Sequence, residues 1–289
     1  MTMRTIARRT RELIAGVHIP VQPAVLQKIL TLLDGFSPNL AALAAGIGED
    51  VALAGRILQR ANIESRKLQR CVDSVEQGVM LLGLQRVGQI VVDMARNLPN
   101  RNEKIPVQWP ADRGVQVGRI AAWLAGVLPD KAVHFHNGLL HPVTPDTAYT
   151  LGLLHDCGLM VLMYRLPEYA PFHQDEMAAH GHLRAREEWR LFGTDHGLAG
   201  ACVAKGWCLP ETFCQAIQDH NQEGSLLQPG RKRSMRHAAS LCGILNLAEW
   251  ILARTTGTPL PPLPDGTLAF FGLEAEDLES MVQSRRESP

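Results

Sequence analysis

The residues best placed to do chemistry lie in Leu154-His155-Asp156-Cys157-Gly158. A histidine beside an aspartate, inside an otherwise apolar helical stretch, is costly to bury without partners. Imidazole and carboxylate are both ligands for divalent transition metals, so the doublet can hold one ion if further ligands converge on it. The alternative is a polar pair hydrogen-bonded to neighbouring helices. His134, His136 and His141 fall in a Pro/Gly-containing stretch and read as solvated loop histidines. The six cysteines form no CxxC pair. Cys202, Cys208 and Cys214 recur every six residues, a step that turns about 600° along a helix and points successive side chains in different directions. They read as small buried hydrophobes in a reducing compartment rather than as zinc ligands. The basic run Arg231–Arg236 reads as a solvated loop before a helix. The five tryptophans are widely spaced and read as core or interface anchors. No glycine-rich phosphate loop is present.

These side chains need a framework. The chain has 289 residues, enough for one large domain or two smaller ones. With 46% hydrophobic and 20% charged residues it can bury a sizeable core. A formal net charge of zero argues against a global electrostatic grip on nucleic acid or an anionic membrane. Arg4, Arg8, Arg9 and Arg11 are followed only by a short apolar stretch, Leu13 to Ile19, which lacks a signal-peptide core. No uncharged run approaches the ~20 residues that span a bilayer. A cytoplasmic protein is expected.

Apolar periodicity predicts a first ordered element near Pro23, with Val25, Ile29, Leu32 and Leu33 on one face. Gly35 ends it, and Ser37-Pro38 starts the next, which carries Leu40, Leu43, Ala44 and Ile47. Asp50 caps a third helix with Leu53, Ile57 and Leu58. A fourth follows Asp73-Ser74, and a fifth follows Gly83. Residues 97–110, with three prolines, form a joint. A helix is predicted over about 112–128, then a loop over 129–145. Further helices are predicted from Thr147 and near 173–190, 195–205, 210–221, 234–255 and 274–284. Pro259, Pro261, Pro262 and Pro264 make a stiff linker between the last two. Asp195 is read as an N-cap. No set of alternating strands occurs, so the fold class is all-α.

The order of motifs from Ile19 to about residue 285 resembles the HDOD (HD-related output domain) family. The stretches that carry the resemblance are IPVQPAVLQKILTLL, LAALAAGIGEDVALAGRILQRAN, VDSVEQGVMLLGLQRVGQIVV, LGLLHDCGLMVL, FGTDHGLAGACVAKGWCLPETFCQAIQDHN and FFGLEAEDLESMV. Leu58, Ala61, Asn62, Ser74, Leu81, Leu82 and Gly83 fall on the family pattern. The resemblance implies an N-terminal five-helix bundle packed on an HD-like helical lobe. The corresponding division is an N-terminal extension over 1–18, an N-terminal lobe over 19–105 and an HD-like lobe over 106–289.

HD phosphohydrolases, the catalytic relatives, bind divalent metal through an early histidine, the His-Asp doublet and a late aspartate, and some branches add histidines. Carried over, His155 and Asp156 form the doublet, His196 and His220 fall at the added histidines, and Glu249 falls near the late acidic position. Arg113 stands where the early histidine is expected, and Leu159 replaces a lysine found in catalytic relatives. An arginine stays protonated and cannot ligate a metal. The resemblance therefore implies that Arg113 replaces the metal by pairing with Asp156.

The expected function is a regulatory or signal-transduction module. It would bind a partner protein or small ligand, with a degenerate metal site, no cofactor and no catalytic residue. The alternative is a phosphohydrolase acting on a nucleotide or cyclic dinucleotide, with a divalent transition metal on His155, Asp156, His196 and His220. Nucleic-acid binding through the basic run is disfavoured by the zero net charge.

Overall fold

The computed structural model describes residues 3–35, 39–66, 71–96, 108–131, 142–175, 182–222, 235–258, 263 and 266–287. Among these residues every regular element is a helix. The helices are α1 (Met3–Ile14), α2 (Pro23–Leu33), α3 (Leu40–Ile47), α4 (Val51–Ser65), α5 (Val75–Arg96), α6 (Gln108–Lys131), α7 (Pro145–Leu154), α8 (Cys157–Arg165), α9 (Tyr169–Asp175), α10 (His182–Phe192), α11 (His196–Gly206), α12 (Glu211–Asp219), α13 (Arg236–Thr256), α14 (Thr267–Phe271) and α15 (Ala275–Glu287). The joint over 97–107, most of the loop containing His134, His136 and His141, Ser37-Pro38, residues 231–234 of the basic run and most of the proline linker lie outside the described residues.

The predicted helix starts follow from local chemistry. Pro23 opens α2, where a missing N–H costs nothing. Asp50 caps α4 through Leu53 N at 2.8 Å and also accepts from Gln22 N at 2.8 Å, tying the start of α2 to the start of α4. Asn39, rather than Ser37, caps α3, accepting from Ala41 N at 2.8 Å. The break expected at Gly83 is present: α5 is interrupted there by φ 70°, ψ 168°, a conformation open to glycine. By length and composition α5 is the one described helix apolar enough to cross a bilayer. It is broken at Gly83, and Val75, Val79, Leu82, Val87 and Val91 face the core.

The structure corrects the sequence reading in three places. A helix, α1, precedes the expected first element; its Leu13 and Ile14 pack on a small apolar cluster built around Leu159, Leu162 and Tyr169. Buried Thr10 is hydrogen-bonded to Thr194 at 2.8 Å. Helix α6 starts earlier than expected, because Pro110 sits in its first turn, where no N–H donor is needed, and it ends later, continuing past Pro129 to Lys131. The described residues of the segment predicted over 173–190 belong to α9 and α10, and residues 176–181 lie outside the described residues. Of the six free cysteines only Cys157, Cys214 and Cys242 are buried, and Cys71 is exposed.

Two close helix approaches position the site. Helices α6 and α7 meet through Gly114, Gly118 and Gly152; a Cβ on Gly152 would lie 2.6 Å from Gly118 Cα. Helices α8 and α11 meet at Gly158 and Gly200, where a Cβ on Gly158 would collide with the His196 carbonyl and lie 2.5 Å from Gly200 N. Trp207, after α11, packs against Gly55 of α4 and joins the N-terminal helices to the rest.

Replacing Asp50 by Ala removes two backbone hydrogen bonds from a buried carboxylate and should destabilise the fold by about 1–3 kcal/mol. A urea midpoint that falls with no change in slope is the expected result.

Candidate functional site

The His-Asp doublet does not lie within a continuous helix, as its apolar flanks suggested. Helix α7 ends at Leu154 and α8 begins at Cys157. His155 is the C-cap residue of α7. Asp156, at the N-cap position of α8, has φ −94° and ψ 14° and makes no capping bond. Its carboxylate is thus free to turn into the protein rather than towards the helix end. Asp195 behaves oppositely: it caps α11 by accepting from Leu198 N at 2.7 Å, and so leaves the site to His196.

Three histidines surround Asp156, each with Nδ1 held. His155 Nδ1–H donates to the Gly152 carbonyl at 2.6 Å. His220, the C-cap residue of α12, donates to the Ile217 carbonyl at 2.7 Å in the same i−3 pattern. His196 donates to the Glu188 carboxylate at 2.7 Å. A carbonyl or carboxylate only accepts, so Nδ1 carries the proton in each case and Nε2 is the atom left to face the centre. His155 Nε2 lies 3.1 Å from Asp156 Oδ2, His220 Nε2 3.8 Å from Oδ1, and His196 Nε2 4.0 Å from Oδ1. All three rings are fully buried.

On the Oδ2 side stands Arg113 of α6. Its Nε is 3.9 Å from Asp156 Oδ2, within the ~6 Å over which charge partners act. Its NH2 donates to Glu249 Oε1 of α13 at 2.6 Å. Glu249 also lies 3.6 Å from His155 Nε2. The sequence-derived residues Arg113, His155, Asp156, His196, His220 and Glu249 therefore all meet at one centre.

The electrostatics follow from burial. Burial alone would push the Asp156 carboxyl up, but His155, His220 and Arg113 hold it well below the usual carboxylate range. Burial disfavours a charged His155, yet Asp156 and Glu249 outweigh it and raise its pKa to about 9. Glu249 is held at about 2 against burial by Arg113 and His155. Neither oxygen of Asp156, nor His155 Nε2, has an aligned hydrogen-bond partner.

Sequence reasoning missed a second set. Buried Glu188 of α10 accepts from His196 Nδ1, from His196 N at 2.8 Å and from the Tyr169 hydroxyl at 2.7 Å. Arg184, one turn before it, is also buried. Asn221, beside His220, places Nδ2 against both His220 Nε2 and His196 Nε2. The available signal was the i, i+4 pair Arg184 and Glu188 on the inner face of an otherwise highly charged helix.

His155, His220 and Glu249 bring ligand atoms within 4.8 Å of one another but do not fit a metal, because the Arg113 guanidinium, which cannot lose its charge, lies 2.6 Å from Glu249 and 3.9 Å from Asp156. On the opposite side, Asp156, His196 and His220 have the right donor chemistry, with ligand atoms all within 4.8 Å of one another.

Helices that converge on a buried His-Asp doublet define an HD-related helical protein. The family model of the HDOD domain matches residues 19–223, and the chain belongs to the HDOD family. Glu249 and helix α1 lie outside the matched residues. An uncharacterized protein of Treponema pallidum (strain Nichols) is 24% identical over 293 residues, covering 98% of this chain and 53% of that protein. The chain thus spans about half the length of that relative. Among solved structures, the MmoQ response regulator of Methylococcus capsulatus str. Bath is 25% identical, with a TM-score of 0.66 over 93% of this chain and 99% of that one. A virulence factor from Campylobacter jejuni subsp. jejuni shares the fold at 15% identity, with a TM-score of 0.58 over 96% of this chain and 98% of that one.

Two outcomes are expected. Gly158→Ala should cost several kcal/mol, on the order of a severe overpacking substitution, because the atoms its methyl meets are backbone; thermal unfolding checks this. Glu188 has its pKa lowered from 4.5 to about 2, since His196, Arg184 and Tyr169 outweigh burial. Its contribution to stability is therefore full above pH 4.5 and is lost as pH falls towards about 2. Unfolding titrations should show the stability gap between wild type and Glu188→Gln closing across that window.

Proposed function

We propose that the protein is a non-catalytic signal-transduction module of the cytoplasm, which binds a partner protein or a small ligand through its two lobes, residues 19–105 and 106–289. The observation that carries this reading is Arg113, whose guanidinium lies 3.9 Å from Asp156 and 2.6 Å from Glu249. A fixed internal cation supplies the neutralising charge that a catalytic metal would otherwise bring. It offers neither an open coordination position nor a way to lower the pKa of a bound water. Similarity to a response regulator at 25% identity supports a signalling role, although a fold by itself carries many functions.

The competing reading is a metal-dependent phosphohydrolase. It is favoured by the convergence of His155, His196 and His220 Nε2 on Asp156. Hydrolysis of bis(p-nitrophenyl) phosphate and of a cyclic dinucleotide, with added Mn²⁺, separates the two. The proposed function predicts no turnover above that of Asp156→Ala. Turnover that disappears in Asp156→Ala would establish the phosphohydrolase.

A further inference from the structure

Arg113 takes the Oδ2 side of Asp156. The Oδ1 side, facing His196 and His220, is the place left where an ion could sit. Both imidazole nitrogens there already have donors of the chain facing them. Asn221 Nδ2 is 2.7 Å from His220 Nε2 and also touches His196 Nε2. Arg184 NH2 lies 3.2 Å from His196 Nε2.

Arg184 is 5% exposed. Its Nε lies 3.7 Å from Glu188 Oε1. Burial works against its charge, and among the groups that hold the charge in place Asp156 is the largest. A guanidinium has donors only and does not deprotonate. Pointed at an imidazole lone pair, it occupies the electrons that a metal would need. Its charge also repels a divalent ion strongly, since buried charges are poorly screened.

The charge balance agrees. Asp156, Glu188 and Glu249 are three carboxylates. Arg113 and Arg184 offset two of them and a charged His155 the third, so a divalent ion would leave the centre positive.

We infer that Arg184 and Asn221 close the second metal position as Arg113 closes the first, so that two guanidinium groups of the chain flank the centre and it takes up no divalent metal. This rests on the reading of the centre as degenerate and extends it from one position to both. Arg184 and Asn221 act here by satisfying and shielding the His196 and His220 nitrogens. The centre is then a permanent structural ion cluster rather than an apo enzyme.

The test is metal uptake by the whole chain. Wild type, Arg184→Met and Asn221→Ala are incubated with excess Zn²⁺ or Mn²⁺, desalted and measured by elemental mass spectrometry, with thermal unfolding in parallel. Wild type should retain less than ~0.1 equivalent and show no metal-dependent change in Tm. Arg184→Met, which keeps the apolar stem and removes the charge, should retain about one equivalent of Zn²⁺. It should also gain on the order of 5 °C in Tm with the ion present. Both effects should vanish when His220→Ala is added.

Asn221→Ala, which leaves every charge in place, should retain more Zn²⁺ than wild type and serves if Arg184→Met does not fold. Wild-type protein that keeps one equivalent, lost in His220→Ala, would overturn the inference. So would a folded Arg184→Met or Asn221→Ala that stays metal-free. Metal held by wild type without phosphodiester turnover would sink this inference alone. Turnover by wild type would sink the proposed function.

Discussion

The structure depends on one buried carboxylate. Asp156 is placed where no helix end, backbone amide or hydroxyl satisfies it, and an ionised carboxylate in that position is tolerated only if opposite charge is brought to it. Everything nearby can be read as meeting that demand. Helix α6 brings Arg113, α7 ends in His155, α10 supplies Arg184, and α11 and α12 present His196 and His220. The carboxylates Glu188 and Glu249 in turn orient His196 and Arg113, so the cluster is a network rather than a single pair. Removing one member of such a network leaves a buried charge uncompensated, which costs more than its presence contributes.

The framework that brings these groups together is apolar and tightly spaced. Fully buried Leu151, Leu154, Leu159 and Ile217 flank the doublet and the histidine helices. Glycines at 114, 118, 152, 158 and 200 let backbones approach to within contact distance. Helix α1 adds a second layer. Through Thr10 it reaches Thr194, two residues before His196, and through Leu13 and Ile14 it covers the small cluster behind the doublet. The first helix and the centre thus share a wall.

Much of this was legible in the sequence. Apolar periodicity and caps such as Asp50 and Asp195 located most helices, and the doublet drew attention because it is polar in an apolar run. What was hidden has physical reasons. The break between α7 and α8 was masked because both helices are apolar on all sides, so no change of period marks the boundary. Helix α1 was hidden by its arginines, which read as a charged tail, although Thr10 and Leu13 give it an inner face. Glu188 and Arg184 looked like one more solvated ion pair among the charges of α10. Only the tertiary fold reveals that this pair is buried while Arg190 and Glu187 beside it are exposed.

The two kinds of residue at the centre differ in how they withstand change. Arg113 can be exchanged for another group if a neighbour adjusts the charge, because the atoms opposite it belong to the side chains of Asp156 and Glu249. Gly158 has no comparable freedom, because the atoms opposite it are main chain and cannot turn aside. Over generations of substitution, the side chains at such a centre can drift while the skeleton that aims them stays fixed. The architecture then outlasts any one set of side chains, and remains available for any task that needs only a rigid shape.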